Sequence, residues 1–314
     1  MRVADPVNMI YDLEIGRPWT APDLTVVPVS GNRPSSLEYL LADEAILTEK
    51  VDVEEVSDQG SVSELRMVNF SNRFILVVDG MMLNGGKKNR IVNASFLIPP
   101  ESITEIPVSC VEQGRWQYNR REFKNGRCLS PHSIRRENAA LQKTALGHKR
   151  GYVSDQRNVW AYVASMSETL GVPTATGSMN EILEKKKSSL ERYGEGMVPN
   201  DFETGAAFFV HGIFRGIELF DRAATFRKMF PKLLSGIAVD MMMARGERFP
   251  GQRGMGAEEP AECLRSILEE VGYSAFEKYE PVGVGDDWRY DANRSFGKAL
   301  RYGADLIHFS AFGK

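Results

Sequence analysis

Two polar stretches of this sequence carry residue types that could hold an anion. The first is Asp79-Gly-Met-Met-Leu-Asn-Gly-Gly-Lys-Lys-Asn-Arg90, which follows an apolar run and gathers adjacent glycines, two lysines, an Asn and an Arg. Glycines let a backbone approach a ligand closely. Lys87, Asn89 and Arg90 could bind a phosphate, pyrophosphate or carboxylate through charge-assisted hydrogen bonds. The stretch fits neither G-x-G-x-x-G nor the Walker pattern, because no Ser or Thr follows the lysines. A hairpin loop with a solvated basic tip is the plainer reading of the same residues.

The second stretch is Ile106-Pro-Val-Ser-Cys-Val-Glu-Gln-Gly-Arg-Trp116. On a strand, residues two apart share a face, so Ile106, Val108 and Cys110 point together and Cys110 reads as a core residue rather than a nucleophile. Glu112 and Arg115, at the strand's end, could form a structural ion pair or orient a polar ligand, and Glu112 is the candidate general base. Trp116 and Tyr118 could stack a nucleobase or close a sheet edge.

Other candidates carry weaker chemistry. Asp286 and Asp287, in the turn Gly283-Val-Gly-Asp-Asp287, make an incomplete cation site. His211 and His308 fall in hairpin patterns and read as structural histidines. The cysteines Cys110, Cys128 and Cys263 lack Cys-x-x-Cys spacing, so no metal ligand set is assigned and no cofactor is identified.

These residues must be positioned by a chain of 314 residues, long enough for one large domain or two ordinary ones. With 42% hydrophobic and 26% charged residues the composition is globular. The net charge of -3 disfavours a protein that merely coats nucleic acid. Its distribution is uneven: Arg115 to Arg150 holds ten Lys or Arg against Glu122 and Glu137. The beginning, Met1 to Pro6, has no signal-peptide character and no run of apolar residues reaches membrane-spanning length. With an odd number of scattered cysteines, a reducing cytoplasm fits best.

Leu24 to Val29, Val51 to Val56, Ser63 to Val68, Arg73 to Val78, Arg90 to Ile98 and Thr104 to Glu112 read as strands, with Ser35 to Glu49 partly helical. The gaps are too short for crossover helices, which predicts an antiparallel sandwich or barrel over residues 1–119. Residues 120–150, charged and without apolar periodicity, read as a basic linker or functional loop. Residues 151–314 read as an α+β domain. Helices are expected near Asn158 to Leu170, after the N-cap Ser178 with Glu181 in the capping-box position, and over Pro260 to Val271. A hairpin turns at His211-Gly212, and a second joins Phe296 to Tyr302 with Asp305 to Phe312. The apolar stripe Phe226, Met229, Phe230, Leu233, Leu234, Ile237 and Met241 predicts a core helix, kinked or split at Pro231. The fold class is therefore α+β: a β-rich sandwich or barrel followed by a helical and β-hairpin domain.

The chain resembles the ARG and rhodanese-phosphatase-superfamily-associated protein domain family. The resemblance rests on Gly85 to Arg90, Ile106 to Trp116, Val159-Trp160, Gly216 to Phe220, Phe230 to Leu234, Val282 to Asp286 and His308 to Phe312. It implies a place beside ADP-ribosylglycohydrolases, hence in NAD or ADP-ribose metabolism or in defence. Lys87, Asn89, Arg90, Cys110, Glu112, Arg115 and Trp116 fall on the family's motif positions. Met81 stands where an acid is expected and Lys88 where Gln is expected, which favours a member that binds without turnover or takes another ligand.

The leading expectation is a nucleotide-like ligand such as ADP-ribose held by Lys87, Asn89, Arg90, Arg115 and Trp116, with Glu112 as the candidate catalytic group. The alternatives are a non-enzymatic module with a protein partner, and RNA binding through residues 115–150.

Overall fold

The computed structural model describes residues 10, 13–31, 34–118, 120–244 and 259–314. Met1 to Pro6, on which the signal-peptide reading rests, lies outside them. Short strands β1 (Glu14–Ile15) and β2 (Trp19–Ala21) lead into β3 (Leu24–Ser30). Strand β4 (Tyr39–Leu41) runs directly into helix α1 (Ala42–Leu47). Then follow β5 (Val51–Glu55), β6 (Glu64–Asn69), β7 (Phe74–Val77), β8 (Met81–Gly86), β9 (Arg90–Val92), β10 (Phe96–Ile98), β11 (Ser102–Cys110) and β12 (Arg120–Leu129). Three helices come next, α2 (His132–Gly147), α3 (Gln156–Thr169) and α4 (Met179–Glu191). The hairpin β13 (Glu203–Val210) and β14 (Ile213–Phe220) leads to α5 (Ala223–Ala244), then α6 (Pro260–Gly272). The chain closes with β15 (Phe276–Tyr279), β16 (Asp286–Asp291), β17 (Ser295–Tyr302) and β18 (Asp305–Gly313).

The α+β class holds, with the strands arranged in three sheets. One has six strands in the order β12-β8-β9-β11-β6-β5, and because β12 packs beside β5 it forms a nearly closed antiparallel barrel. A three-stranded sheet, β10-β7-β4, contains the parallel pair β4 and β7. The largest sheet runs β1-β3-β13-β14-β18-β17-β16-β15, with β2 also on β3. Strands β1 to β3 thus pair with the C-terminal hairpins rather than with the barrel, since β3 lies antiparallel to β13 from Leu24↔Val210 to Ser30↔Glu203.

Alternation sorts the large sheet's side chains onto two faces. Val26, Phe208 and Val210 meet α5 and the barrel, whereas Val27, Phe209, Leu219 and Phe309 meet α6. All seven residues of the expected apolar stripe are buried on α5, each full burial of such a side chain being worth roughly 1.5–3 kcal/mol. Pro231 does not split α5, which continues from Ala223 to Ala244. Ser178 caps α4 as expected, its Oγ accepting from Glu181 N at 3.4 Å. His211 and Gly212 both take positive φ, 52° and 76°, in the two-residue turn that joins β13 to β14.

Two expectations need correction. Residues 120–150 are not a linker or loop: they form β12, at one end of the six-stranded order, and α2. Apolar periodicity was missing because the buried face of α2 is largely polar, with His132, Arg135, Asn138 and Gln142 at helical spacing. The glycine stretch is not a solvated loop either, since every residue of β8 is buried.

Candidate functional site

The two polar stretches converge. Strand β8 lies between β12 and β9, and its hairpin with β9 turns through Gly85 to Asn89. Both glycines are required there. A Cβ on Gly85 would stand 2.2 Å from Glu122 O, and one on Gly86, at φ +51°, would stand 2.2 Å from Phe123 Cζ. Gly85 N donates to Asn89 Oδ1 at 3.0 Å and ties the turn.

Arg115 reaches back over this turn. Its Nε and Nη2 donate to the Glu112 carboxylate at 3.0 and 2.7 Å, and its Nη1 donates to Gly86 O at 2.8 Å and Gln117 O at 2.9 Å. Glu112 also accepts from Thr176 Oγ1 at 2.7 Å and Asn89 N at 3.2 Å. Burial opposes its charge, but the hydrogen bonds from Arg115, Thr176 and Asn89 outweigh that and hold the carboxyl below its usual range. The start of α4 completes this wall: Glu112 bridges Ser178, and Asn89 Nδ2 donates to Ser178 Oγ at 3.3 Å.

Beside this pair the cations crowd together. Lys87, Lys88 and Arg90 are 9%, 7% and 0% exposed. The Lys87 ammonium donates to Asp58 O and lies over the rings of Trp116 and Tyr118. The Lys88 ammonium donates to Gln113 O at 2.9 Å and sits 5.3 Å from the ring centres of both Trp116 and Trp160. Arg90 gives Nη2 to Ser61 O at 3.1 Å and lies 3.8 Å from Glu55, and its guanidinium also faces Trp116 at 5.8 Å. Among the described residues its Nε and Nη1 have no hydrogen-bond acceptor, nor does the buried Trp160 Nε1. Burial pushes the affinity of Lys88 and of Arg90 for their protons down, as do the neighbouring cations.

Four cations, Lys87, Lys88, Arg90 and Arg115, therefore face two carboxylates, Glu55 and Glu112. Trp116, 44% exposed, forms the solvent side of the cluster. Cys110 pairs in register with Arg90, and burial raises its pKa, so the thiol stays protonated in the core. Glu55, Trp160 and Thr176 were not among the candidates from sequence. Glu55 carried a signal: in the alternating run Val51 to Glu55 it occupies an inward position.

A second buried network has balanced charge. Asp79 pairs with Arg135 at 3.0 Å and Lys298 at 2.9 Å, and Arg135 also pairs with Glu218 at 2.7 Å. Burial alone would raise the Asp79 pKa, yet Arg135 and Lys298 hold it well below the carboxylate range. His308 Nε2 lies 2.8 Å from Glu218, the partnered structural role expected of it. Asp286 and Asp287 are drawn to Lys278 and Arg289. Among the described residues no three His, Cys, Asp or Glu side chains form a group that could hold a metal ion. No described helix is long and apolar enough to cross a membrane.

No curated protein and no solved structure matches this chain. A family model does, over residues 12–312, which include both polar stretches and every helix and strand described except the last residue of β18. The chain belongs to the ARPP-1 family, defined by the ARG and Rhodanese-Phosphatase-superfamily-associated Protein domain.

Proposed function

We propose that the cluster between the β8–β9 turn and Trp116 binds the phosphate of a nucleotide-like ligand such as ADP-ribose. The observation that carries this reading is the Arg90 guanidinium, wholly buried, with two nitrogens lacking an acceptor among the described residues, inside a group with two excess positive charges. An orphaned buried donor costs about 1–3 kcal/mol, and an oxyanion among these groups would remove that penalty and neutralise the excess. Trp116 offers an exposed aromatic face on which a base could stack. The family's name, read as an association with ADP-ribosylglycohydrolases, is the reason ADP-ribose is the first ligand to test.

In this reading Lys87, Lys88, Arg90 and Trp116 meet the ligand, while Asn89 and Arg115 hold the turn in place. Glu112 is a positioning residue. With both oxygens engaged and its proton affinity depressed, it is poorly suited to general-base chemistry. Calorimetric titration with ADP-ribose, ADP and NAD tests the reading. Saturable heat that Arg90→Gln abolishes supports it, and no heat up to millimolar ligand rules it out.

The basic strand β12 favours one further reading. Arg120, Arg121, Lys124 and Arg127 are all exposed along it, and Arg121 lies over the exposed Tyr118 ring at 5.4 Å. Such a stripe suits a single-stranded nucleic-acid backbone. RNA retention that falls with salt and disappears in an Arg120→Ala, Arg121→Ala double variant would favour this reading over the first.

A further inference from the structure

A cavity of about 750 Å³ opens elsewhere, between the first turn of α2, the end of α5 and strand β14. Ligand pockets for small organic molecules span roughly 300–1,000 Å³. Its polar wall is built by Ser133, Arg136, Tyr162, Arg215 and Asp240. Its apolar wall includes Ile213, Phe214, Ile237, Met241 and Met243.

The polar wall is unevenly satisfied. Asp240 accepts from Ser133 N and Ser133 Oγ, both at 2.7 Å, and from Tyr162 OH at 2.6 Å. It thereby occupies the amide that the start of α2 would otherwise offer. The two guanidiniums are not matched in this way. Among the described residues Arg136 donates one hydrogen bond, from Nε to Gly313 O at 2.7 Å, and its guanidinium lies over the Phe296 ring at 5.7 Å. Arg215, half-buried on β14, makes no hydrogen bond or ion pair with any described residue. Each of the two arginines repels the other's charge, and Asp240 is the one acidic side chain among the described residues of the wall. Next to Arg215, Gly216 admits the ring of His132: a Cβ there would stand 2.8 Å from His132 Nε2 and 2.5 Å from Ala311 O. That ring is buried and uncharged at neutral pH, its pKa pushed down to about 3 by burial and by Arg135, Arg215 and Arg136.

We infer that this cavity is a second binding site, which takes a small organic anion whose phosphate or carboxylate head lies between Arg136 and Arg215 and whose apolar body rests on Ile213, Met241 and Met243. A planar guanidinium with free nitrogens is matched by two oxygens of either head group. The site shares no residue with the Arg90 cluster, so it stands whatever that cluster binds.

The test is calorimetry on the whole chain with phenyl phosphate, benzoate and inorganic phosphate. The expected result, read in an Arg90→Gln background that removes phosphate binding at the first cluster, is saturable binding of phenyl phosphate or benzoate, one per chain, with the tighter of the two identifying the head group. Added to that background, Arg215→Gln should weaken it about tenfold or more, the loss of one charge-assisted hydrogen bond. Should R215Q fold poorly, Arg215→Lys keeps the charge without the fork, and Ile213→Trp fills the apolar wall without touching a charge. Both should weaken binding. Inorganic phosphate binding as tightly as both organic anions would overturn the role of the apolar wall. Absence of saturation at millimolar concentration, or wild-type affinity in R215Q, R215K and I213W, would overturn the site.

Discussion

Arg115 grips Glu112 through two nitrogens, at 3.0 and 2.7 Å, while the same guanidinium donates to the carbonyl of Gly86 on the other side of the turn. The pair joins the end of β11 to the β8–β9 turn, so it organises the cluster around Arg90 even where it does not touch a ligand. Thr176 and Ser178 extend the same wall to the start of α4, three segments distant in sequence meeting at one carboxylate.

Removing one partner of this buried pair leaves the other charge exposed to the low-dielectric interior. Arg115→Ala is expected to lower stability by about 3 kcal/mol. In the double variant with Glu112→Ala the loss is smaller than the sum of the single losses. Urea unfolding of the four proteins measures both.

Glu112 also sets a pH dependence. Its folded pKa lies below the ordinary 4.5, so the unfolded chain takes up a proton that the folded chain refuses. The contribution is complete above 4.5 and is lost as pH falls through the lower folded value. Glu112→Gln should therefore flatten the decline in unfolding midpoint as pH falls below 4.5. A slope identical to that of the wild type would show that Glu112 is not held charged.

The glycines of the turn are constrained by packing as well as by backbone angle. Gly86→Ala should destabilise by about 1–3 kcal/mol and weaken any ligand at Arg90, because the new methyl meets the Phe123 ring. Gly171→Ala is the matched control: φ is +61° there but nothing lies within 4 Å, so its loss is held to about 1 kcal/mol with binding intact.

In the second network Arg135 is the hub between Asp79 and Glu218. Arg135→Met takes the shared cation from two buried carboxylates, leaving Asp79 to Lys298 and Glu218 to His308, and should cost about 3 kcal/mol, read as a shift in thermal and urea midpoints.

Part of the barrel was legible because β5 and β6 alternate, as Val51 to Glu55 does, and α5 was legible because its apolar stripe repeats at helical spacing. What escaped reading was buried polarity. The inner face of α2 is made of His132, Arg135, Asn138 and Gln142, so a hydrophobic pattern could not reveal it. Strand β8 was hidden by its paired glycines, whose reason is the closeness of Phe123 and Glu122 on β12. The candidate site was read from residue type and proximity in sequence, which supplied Lys87 to Arg90 and Glu112 to Trp116. Glu55, Trp160 and Thr176 join only through the fold, and nothing in their local sequence could announce which cations they would meet.

In the proposed reading a phosphate sits among Lys87, Lys88 and Arg90, beside the rings of Trp116 and Trp160. The four tryptophan indole N–H groups, observed by nitrogen-15 NMR during titration with ADP-ribose, test it directly. Saturable shifts of the Trp116 and Trp160 signals that vanish in Arg90→Gln, with Trp19 and Trp288 still, are the predicted result. Immobile Trp116 and Trp160 signals at saturating ligand would contradict it.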